Sequence, residues 1–249
     1  MPDRATMAVI DAGAEAHDAV LAWRAFSGER SHVDRIDVLK ETSKTAVYRL
    51  YAATRGRPAV IAKRRLQEAI AYERAIYEQV LSVLPVTSLA CYGSLAADAE
   101  RSWIFLEDSG GGEFSYQSDA HMAAATRWLA GAHVAASRQS PLSLLPDRGP
   151  CHYLDHLHNA QQTLARHVSN PALDVHEIAI LQDVMSLLAR LEGRWPEVEA
   201  FCALLPSAFT HGDFVQKNVH IREARGEIVV MPLDWETSGW GVPAPDLTR

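Results

Sequence analysis

Cysteine is scarce in this chain. Cys91, Cys151 and Cys202 are widely spaced and odd in number, which excludes a disulfide framework and a CxxC metal site and leaves buried, reduced thiols. Long apolar runs are lacking too. None approaches the ~18 residues of a membrane span, and acids interrupt the apolar residues of the first twenty positions. A reducing, cytoplasmic setting without a membrane partner is therefore expected. Basic charge is the third shortage: 24 Lys and Arg face 31 Asp and Glu, a net charge of -7. That sign excludes general nucleic-acid binding by phosphate neutralisation and suits a neutral or cationic small partner. What the chain does have is 249 residues, 48% hydrophobic and 22% charged, enough for one large globular domain or two small lobes and too apolar for disorder.

Residues 14–26 place Ala16, Val20, Leu21 and Trp23 at helical spacing and stop at Ser27-Gly28, predicting a leading helix. Three β-rich runs follow, 32–40, 46–54 and 58–65, separated by a Ser43-Lys44-Thr45 turn and by Arg55-Gly56-Arg57-Pro58. They predict an antiparallel meander. A helix is expected over 67–83 and strands over 86–93 and 102–107, after which Glu107-Asp108-Ser109-Gly110-Gly111-Gly112 breaks regular structure. A long amphipathic helix at 120–137, a Pro- and Leu-rich connection at 141–150 and helical patterns at 153–167 and 175–195 complete the middle of the chain.

Lys63 ends the apolar strand Ala59–Ala62. An ammonium buried there requires a partner, and the next helix offers Glu68, Glu73 and Glu78. Glu73 fits best, because Ile70, Ile76, Tyr77 and Val80 flank it at helical spacing and turn it toward the sheet. The competing reading leaves Lys63 on the surface in the run Lys63-Arg64-Arg65.

The stretch that organises the chain is His211–Asp234, HGDFVQKNVHIREARGEIVVMPLD. Asp213 lies in a tight His-Gly-Asp turn, Asn218 follows five positions later, and Asp234 closes the buried-strand run Ile228–Met231 after Pro232-Leu233. A carboxylate, a carboxamide and a second carboxylate in this order suit in-line phosphoryl transfer: one group orients an acceptor hydroxyl and two hold Mg²⁺ on phosphates.

HGDFVQKN, followed by LDWE and GVPAPDL, resembles the aminoglycoside phosphotransferase and choline kinase family of protein-kinase-like small-molecule kinases. The resemblance implies an α+β, two-lobe fold: residues 1–108 as a nucleotide-binding lobe with a small antiparallel sheet, residues 109–249 as a larger, mainly helical lobe carrying the catalytic loop and acceptor-binding helices. Family members usually continue past the position of Arg249, so the helical lobe is expected to be C-terminally incomplete. The resemblance makes Asp213 the catalytic base, Asn218 and Asp234 the Mg²⁺ ligands, and Lys63, held by Glu73, the contact to the phosphates of ATP or GTP. It places Ser43 in a nucleotide loop that has no glycine, where a plain polar turn reads the same. It also sets the Glu107 carbonyl and the Ser109 N–H against the adenine edge of a hinge. His211 braces the catalytic turn, Gly212 allows its sharp path, and Asp246 and His133 take structural roles. Lys217 is open between the γ-phosphate and solvent.

Residues 151–205 carry seven acids against three arginines, which favours a cationic acceptor alcohol, although most of these charges read as solvated helix faces. His152 and His156 stand four apart, a metal-ligand spacing with no third ligand to complete it. Two rivals to a kinase remain: a kinase-like protein that binds nucleotide without turnover, and a metal-dependent hydrolase built on His211, Asp213 and His220.

Overall fold

The computed structural model describes residues 8–10, 14–28, 33–52, 58–139, 143–224 and 226–247. In chain order the elements are β1 (Ala8–Ile10), α1 (Asp18–Ser27), β2 (Val33–Glu41), β3 (Ala46–Ala52), β4 (Val60–Leu66), α2 (Gln67–Ala75), β5 (Cys91–Ala96), β6 (Arg101–Glu107), β7 (Gly112–Glu113) and α3 (Asp119–Ala136). Then come β8 (Asp147–Arg148), α4 (Pro150–His167), α5 (Val175–Gly193), α6 (Trp195–Cys202), β9 (Ala208–Thr210), β10 (Val219–Ala224), β11 (Glu227–Pro232) and β12 (Gly239–Gly241). The expected Arg55-Gly56-Arg57 turn and the start of the 141–150 connection lie outside the described residues. Two compact units emerge, 1–132 with 214–236, and 133–213 with 237–249.

In the first unit, six strands form a sheet in the order β1-β2-β3-β4-β6-β5, antiparallel throughout. Strand side chains alternate between faces, and the sequence uses this to build two different surfaces. Tyr48, Leu50, Ala62, Trp103 and Phe105 join Ala19, Val20 and Ala22 of α1 in one buried cluster. Trp23 and Phe26 each stand 5.1 Å from the Phe105 ring, and α1 stops as the sequence predicts, at Gly28 with φ 93°. The intervening positions, Val47, Arg49, Ile61, Lys63, Arg65 and Leu106, line a cavity on the opposite face.

The helix expected over 67–83 forms in three pieces: α2, a π turn at Ile76–Val80 and a 3₁₀ turn at Leu81–Val83. The segment after β6 is not wholly irregular. Gly112 and Glu113 pair with Ile221 and His220, making a small sheet of order β11-β10-β7. The side chain of Thr87 ties into this sheet by donating to the Val230 carbonyl at 2.7 Å, and Trp128 Nε1 of α3 donates to the Thr87 carbonyl at 2.8 Å.

In the second unit, α4 packs on α5 and α6. A capping box starts α5, with Asp174 accepting from the Glu177 N–H and Glu177 accepting from the Asp174 N–H. Strands β8, β12 and β9 form a third small sheet, parallel at β8 and antiparallel at β9. Among the described residues, no helix is long and apolar enough to cross a membrane.

Candidate active site

Strand β4 carries Lys63 between two apolar neighbours in the sheet, Val47 of β3 and Ile104 of β6. The residue is only 7% exposed, so its ammonium requires compensation. Two carboxylates supply it. Lys63 Nζ is 2.8 Å from Glu73 Oε2 on α2 and 2.9 Å from Asp234 Oδ1 after β11. Glu73 is itself 3% exposed, the burial that its apolar neighbours at helical spacing predict. Burial pulls the Lys63 ammonium down, but the charges of Glu73 and Asp234 outweigh it and raise the net value. Burial likewise pushes the Asp234 carboxyl up, while Lys63, with Arg65 and Lys40 beyond, holds it below the ordinary carboxylate value.

Asp234 has φ 64°, the one non-glycine residue with positive φ among the described residues. A left-handed aspartate is a mildly strained conformation held by its surroundings. Directly after it Trp235 is fully buried, its ring 6.1 Å from Trp128 and 6.3 Å from Tyr77. Leu233 just before it donates its N–H to the Asn218 carbonyl at 2.8 Å. The backbone thus couples Asn218 and Asp234, and both line the same cavity of about 220 Å³ with Lys63 and Glu73.

That cavity also takes in side chains the sequence did not single out for it. Lys40, Thr45, Arg49, Arg65, Tyr77, His220 and Glu236 line it, as does Lys217. Arg65 pairs with Glu236 and lies 3.9 Å from Asp234. The alternation along β3 and β4 was the available signal: Lys63 already fixed which face was polar.

Ser43 and Glu107 are not among the lining residues. Ser43 sits exposed in a turn closed by Thr42, whose hydroxyl accepts from the N–H of Thr45 at 3.0 Å, and its carbonyl accepts from Arg101. Glu107 turns its carboxylate to Arg222 at 2.8 Å and to the Ala90 N–H. Ser109 does line the cavity, and its hydroxyl stands 2.6 Å from His220 Nδ1. Arg222 grips this segment a second way, donating to the carbonyls of Asp108 and Ser109 at 2.9 and 2.7 Å. Arg49 secures it from β3, its Nε 3.0 Å from Asp108. Burial, with Arg49 nearby, lowers the pKa of His220.

Asp213 belongs to the second unit. The His211-Gly212-Asp213 turn there is built on Asp246, a carboxylate 3% exposed that accepts from the backbone N–H groups of His211 and Gly212 at 2.9 and 2.7 Å. His133 Nε2 lies 2.9 Å from the same carboxylate, and the Asp213 N–H donates to His211 Nδ1 at 3.3 Å. Gly212 has φ 78°, and a Cβ there would stand 2.5 Å from the Thr237 carbonyl oxygen. Only glycine fits this path. These contacts give Asp246, His133 and His211 the bracing work expected of them.

For a divalent cation the first unit offers Asn218 and Asp234, both hard oxygen donors suited to Mg²⁺. Among the described residues the polar contacts of Asp234 fall on Oδ1, which leaves Oδ2 to meet a cation, so the residues fit the ion. No three His, Cys, Asp or Glu side chains converge as a metal cluster among the described residues, so neither the His152 and His156 pair nor the hydrolase centre gains support.

A sequence profile described as the phosphotransferase enzyme family matches residues 13–249. The chain belongs to that family. A search of curated proteins found no match. Solved structures share the phosphotransferase fold, protein-kinase-like and α+β, at low identity. An aminoglycoside-3'-phosphotransferase of type VIII aligns at 20% identity with TM-score 0.57, covering 93% of this chain and 81% of its own. A macrolide 2'-phosphotransferase from Brachybacterium faecium aligns at 17% identity and TM-score 0.57, covering 94% and 76%. A streptomycin-ATP ternary complex of APH(2'')-IIa aligns at 11% identity and TM-score 0.53, covering 86% and 69%.

Proposed function

We propose that this phosphotransferase moves the γ-phosphoryl group of ATP or GTP to a hydroxyl of a small molecule, neutral or cationic, in the cytoplasm. The observation that carries the reading is Lys63, an ammonium enclosed in the cavity wall and shared between Glu73 and Asp234. A lysine held by two carboxylates, beside Asn218, is a cation fixed for a polyanion. ATP bound in one similar structure supports the nucleotide, and the streptomycin bound beside it and the macrolide 2'-phosphotransferase activity named for another support a small-molecule acceptor.

In this proposal residues 1–108 form the nucleotide lobe and 109–249 the acceptor lobe. Lys63 contacts the phosphates and Glu73 fixes its direction. Asn218 and Asp234 hold Mg²⁺, which when bound supplies positive charge to the phosphate oxygens. Ser43 would act through its hydroxyl and N–H, and Glu107 and Ser109 through the carbonyl and the N–H of the hinge; of the three, Ser109 alone lines the cavity. Asp213 orients the acceptor hydroxyl and takes its proton as the oxygen attacks phosphorus, on the warrant of its place in the HGDxxxxN motif and the rigid turn beneath it.

The test is Asp213→Asn. Radiolabelled transfer from nucleotide to a panel of aminoglycosides, macrolides, choline-like amino-alcohols and sugars should fall by about 10²- to 10⁴-fold, while the Mg²⁺-dependent thermal shift by ATP or GTP survives. Unaltered turnover in the variant sinks the role of Asp213; a wild-type protein whose melting ignores both nucleotides sinks the kinase assignment.

A further inference from the structure

The sheet register divides the cavity into two ends. Val47, Lys63 and Ile104 form one row across β3, β4 and β6, and Arg49, Ile61 and Leu106 form the row two residues along. The first row leads to Asp234 and Glu73. The second leads to Asp108, paired with Arg49, and on to Ser109. Strand β10 runs past both: Asn218 lies just before it, His220 within it and Arg222 at the Ser109 end, all three on one face, while Val219 and Ile221 are buried on the other. His220 is therefore the β10 side chain that faces the end of the cavity remote from Asp234.

An apolar residue would fill that place as well. A histidine there brings a polar edge, and its orientation is fixed. Ser109 is 3% exposed, and its hydroxyl lies 2.6 Å from Nδ1 with no other side-chain or backbone partner among the described residues. In one of the two tautomers this contact allows, Ser109 Oγ donates to Nδ1, the acceptor in reach of the buried hydroxyl. The ring proton then sits on Nε2, which no described residue accepts from.

We propose that Ser109 and His220 form a base-reading pair, in which the hydroxyl fixes the imidazole so that Nε2–H donates to an acceptor atom on the base of the donor nucleotide. The proposal rests on the assignment of this cavity to the nucleotide, and goes beyond it by naming the side chains that recognise the base and the sense of their hydrogen bond.

Calorimetric titration with Mg·ATP and with Mg·tripolyphosphate, which carries phosphates and no base, separates the two ends. Wild-type protein should bind both. His220→Phe keeps a ring and removes the donor, and should weaken ATP about 3- to 10-fold while tripolyphosphate is unchanged. His220→Gln, whose amide N–H can reach the same place, should recover part of the loss, and Ser109→Ala should weaken ATP but not tripolyphosphate. Lys63→Ala should weaken both ligands. Equal ATP affinity in wild type and His220→Phe, or equal weakening of both ligands by that variant, overturns the base-reading pair while leaving the nucleotide site standing. A wild-type protein that binds neither ligand overturns the nucleotide site itself.

Discussion

Lys63 balances two carboxylates that meet nowhere else. Replacing it with Met leaves Glu73 buried without its cation, and removing one partner of such a pair is expected to destabilise by about 3–5 kcal/mol. The double variant Lys63→Met with Glu73→Leu should regain most of that, since an apolar pair of similar volume suits the site. Urea midpoints of the two single variants and the double decide it: a fully additive cycle would mean that the ion pair holds nothing. Asp246 is the counterpart in the second unit. Asp246→Asn keeps the shape but offers a single acceptor oxygen to two backbone N–H groups, and should lower stability by about 1–3 kcal/mol, read from thermal unfolding. Gly212→Ala should be at least as damaging, because strain at φ 78° adds to the clash with Thr237.

Elements divide by how far their causes lie in the sequence. Helices α1, α3, α4 and α5 and strands β2, β3, β4 and β6 carry their own periodicity and were legible within a few residues of their ends, whereas the strand expected over 86–93 forms at Cys91–Ala96. Strands β1, β7, β8, β9 and β12 are two or three residues long. Each exists because a distant partner offers backbone groups, as Gly112 finds Ile221, and no local pattern announces that. The break of the 67–83 helix into a π turn was also hidden, since the apolar spacing reads the same through it. The site divides alike. Lys63 with Glu73 followed from a strand end and a helix face, and Asn218 with Asp234 from the HGDxxxxN stretch and its family resemblance, whereas the place of Arg65, Glu236 and His220 in this cavity became visible only when the strands were registered. Arg222 belongs to this second kind. Its three contacts to residues 107–109 are charge-assisted, so Arg222→Ala should loosen that segment. Amide hydrogen exchange at 108–111 should speed up in the variant while α1 is unaffected, and unchanged exchange would remove Arg222 from the account of the segment.

For the molecule as a whole, acid and base act on the two ends of one ion pair. The Asp234 carboxyl lies lower in the folded protein than its unfolded value of ~3.9. The stability it contributes is present above that pH and is lost as pH falls through the folded value. Lys63 is raised above its unfolded ~10.4, so its contribution is present below that pH and is lost as pH rises through the folded value. The linked prediction is a plateau between these limits, with urea midpoints falling on the acid side, and an acid limb that is shallower in Asp234→Asn. Equal acid limbs in the two proteins would show that other carboxylates govern the fall. Ligand linkage acts in the same direction: nucleotide with Mg²⁺ at a hundred times its Kd should add about 2.7 kcal/mol.

The first unit draws on two separated stretches, 1–132 and 214–236, and this bears on the order in which a ribosome delivers it. The main sheet is fully translated once β6 is out at Glu107, yet Asn218, His220 and Asp234 are still unmade. At usual elongation speeds they emerge roughly 5–25 s later. Through that interval the nascent chain holds Lys63 and Glu73 as a pair lacking its third member, and the polar face of the sheet waits for its cover. Until Glu236 has emerged, a nascent chain lacks part of the lining of the cavity proposed for the nucleotide.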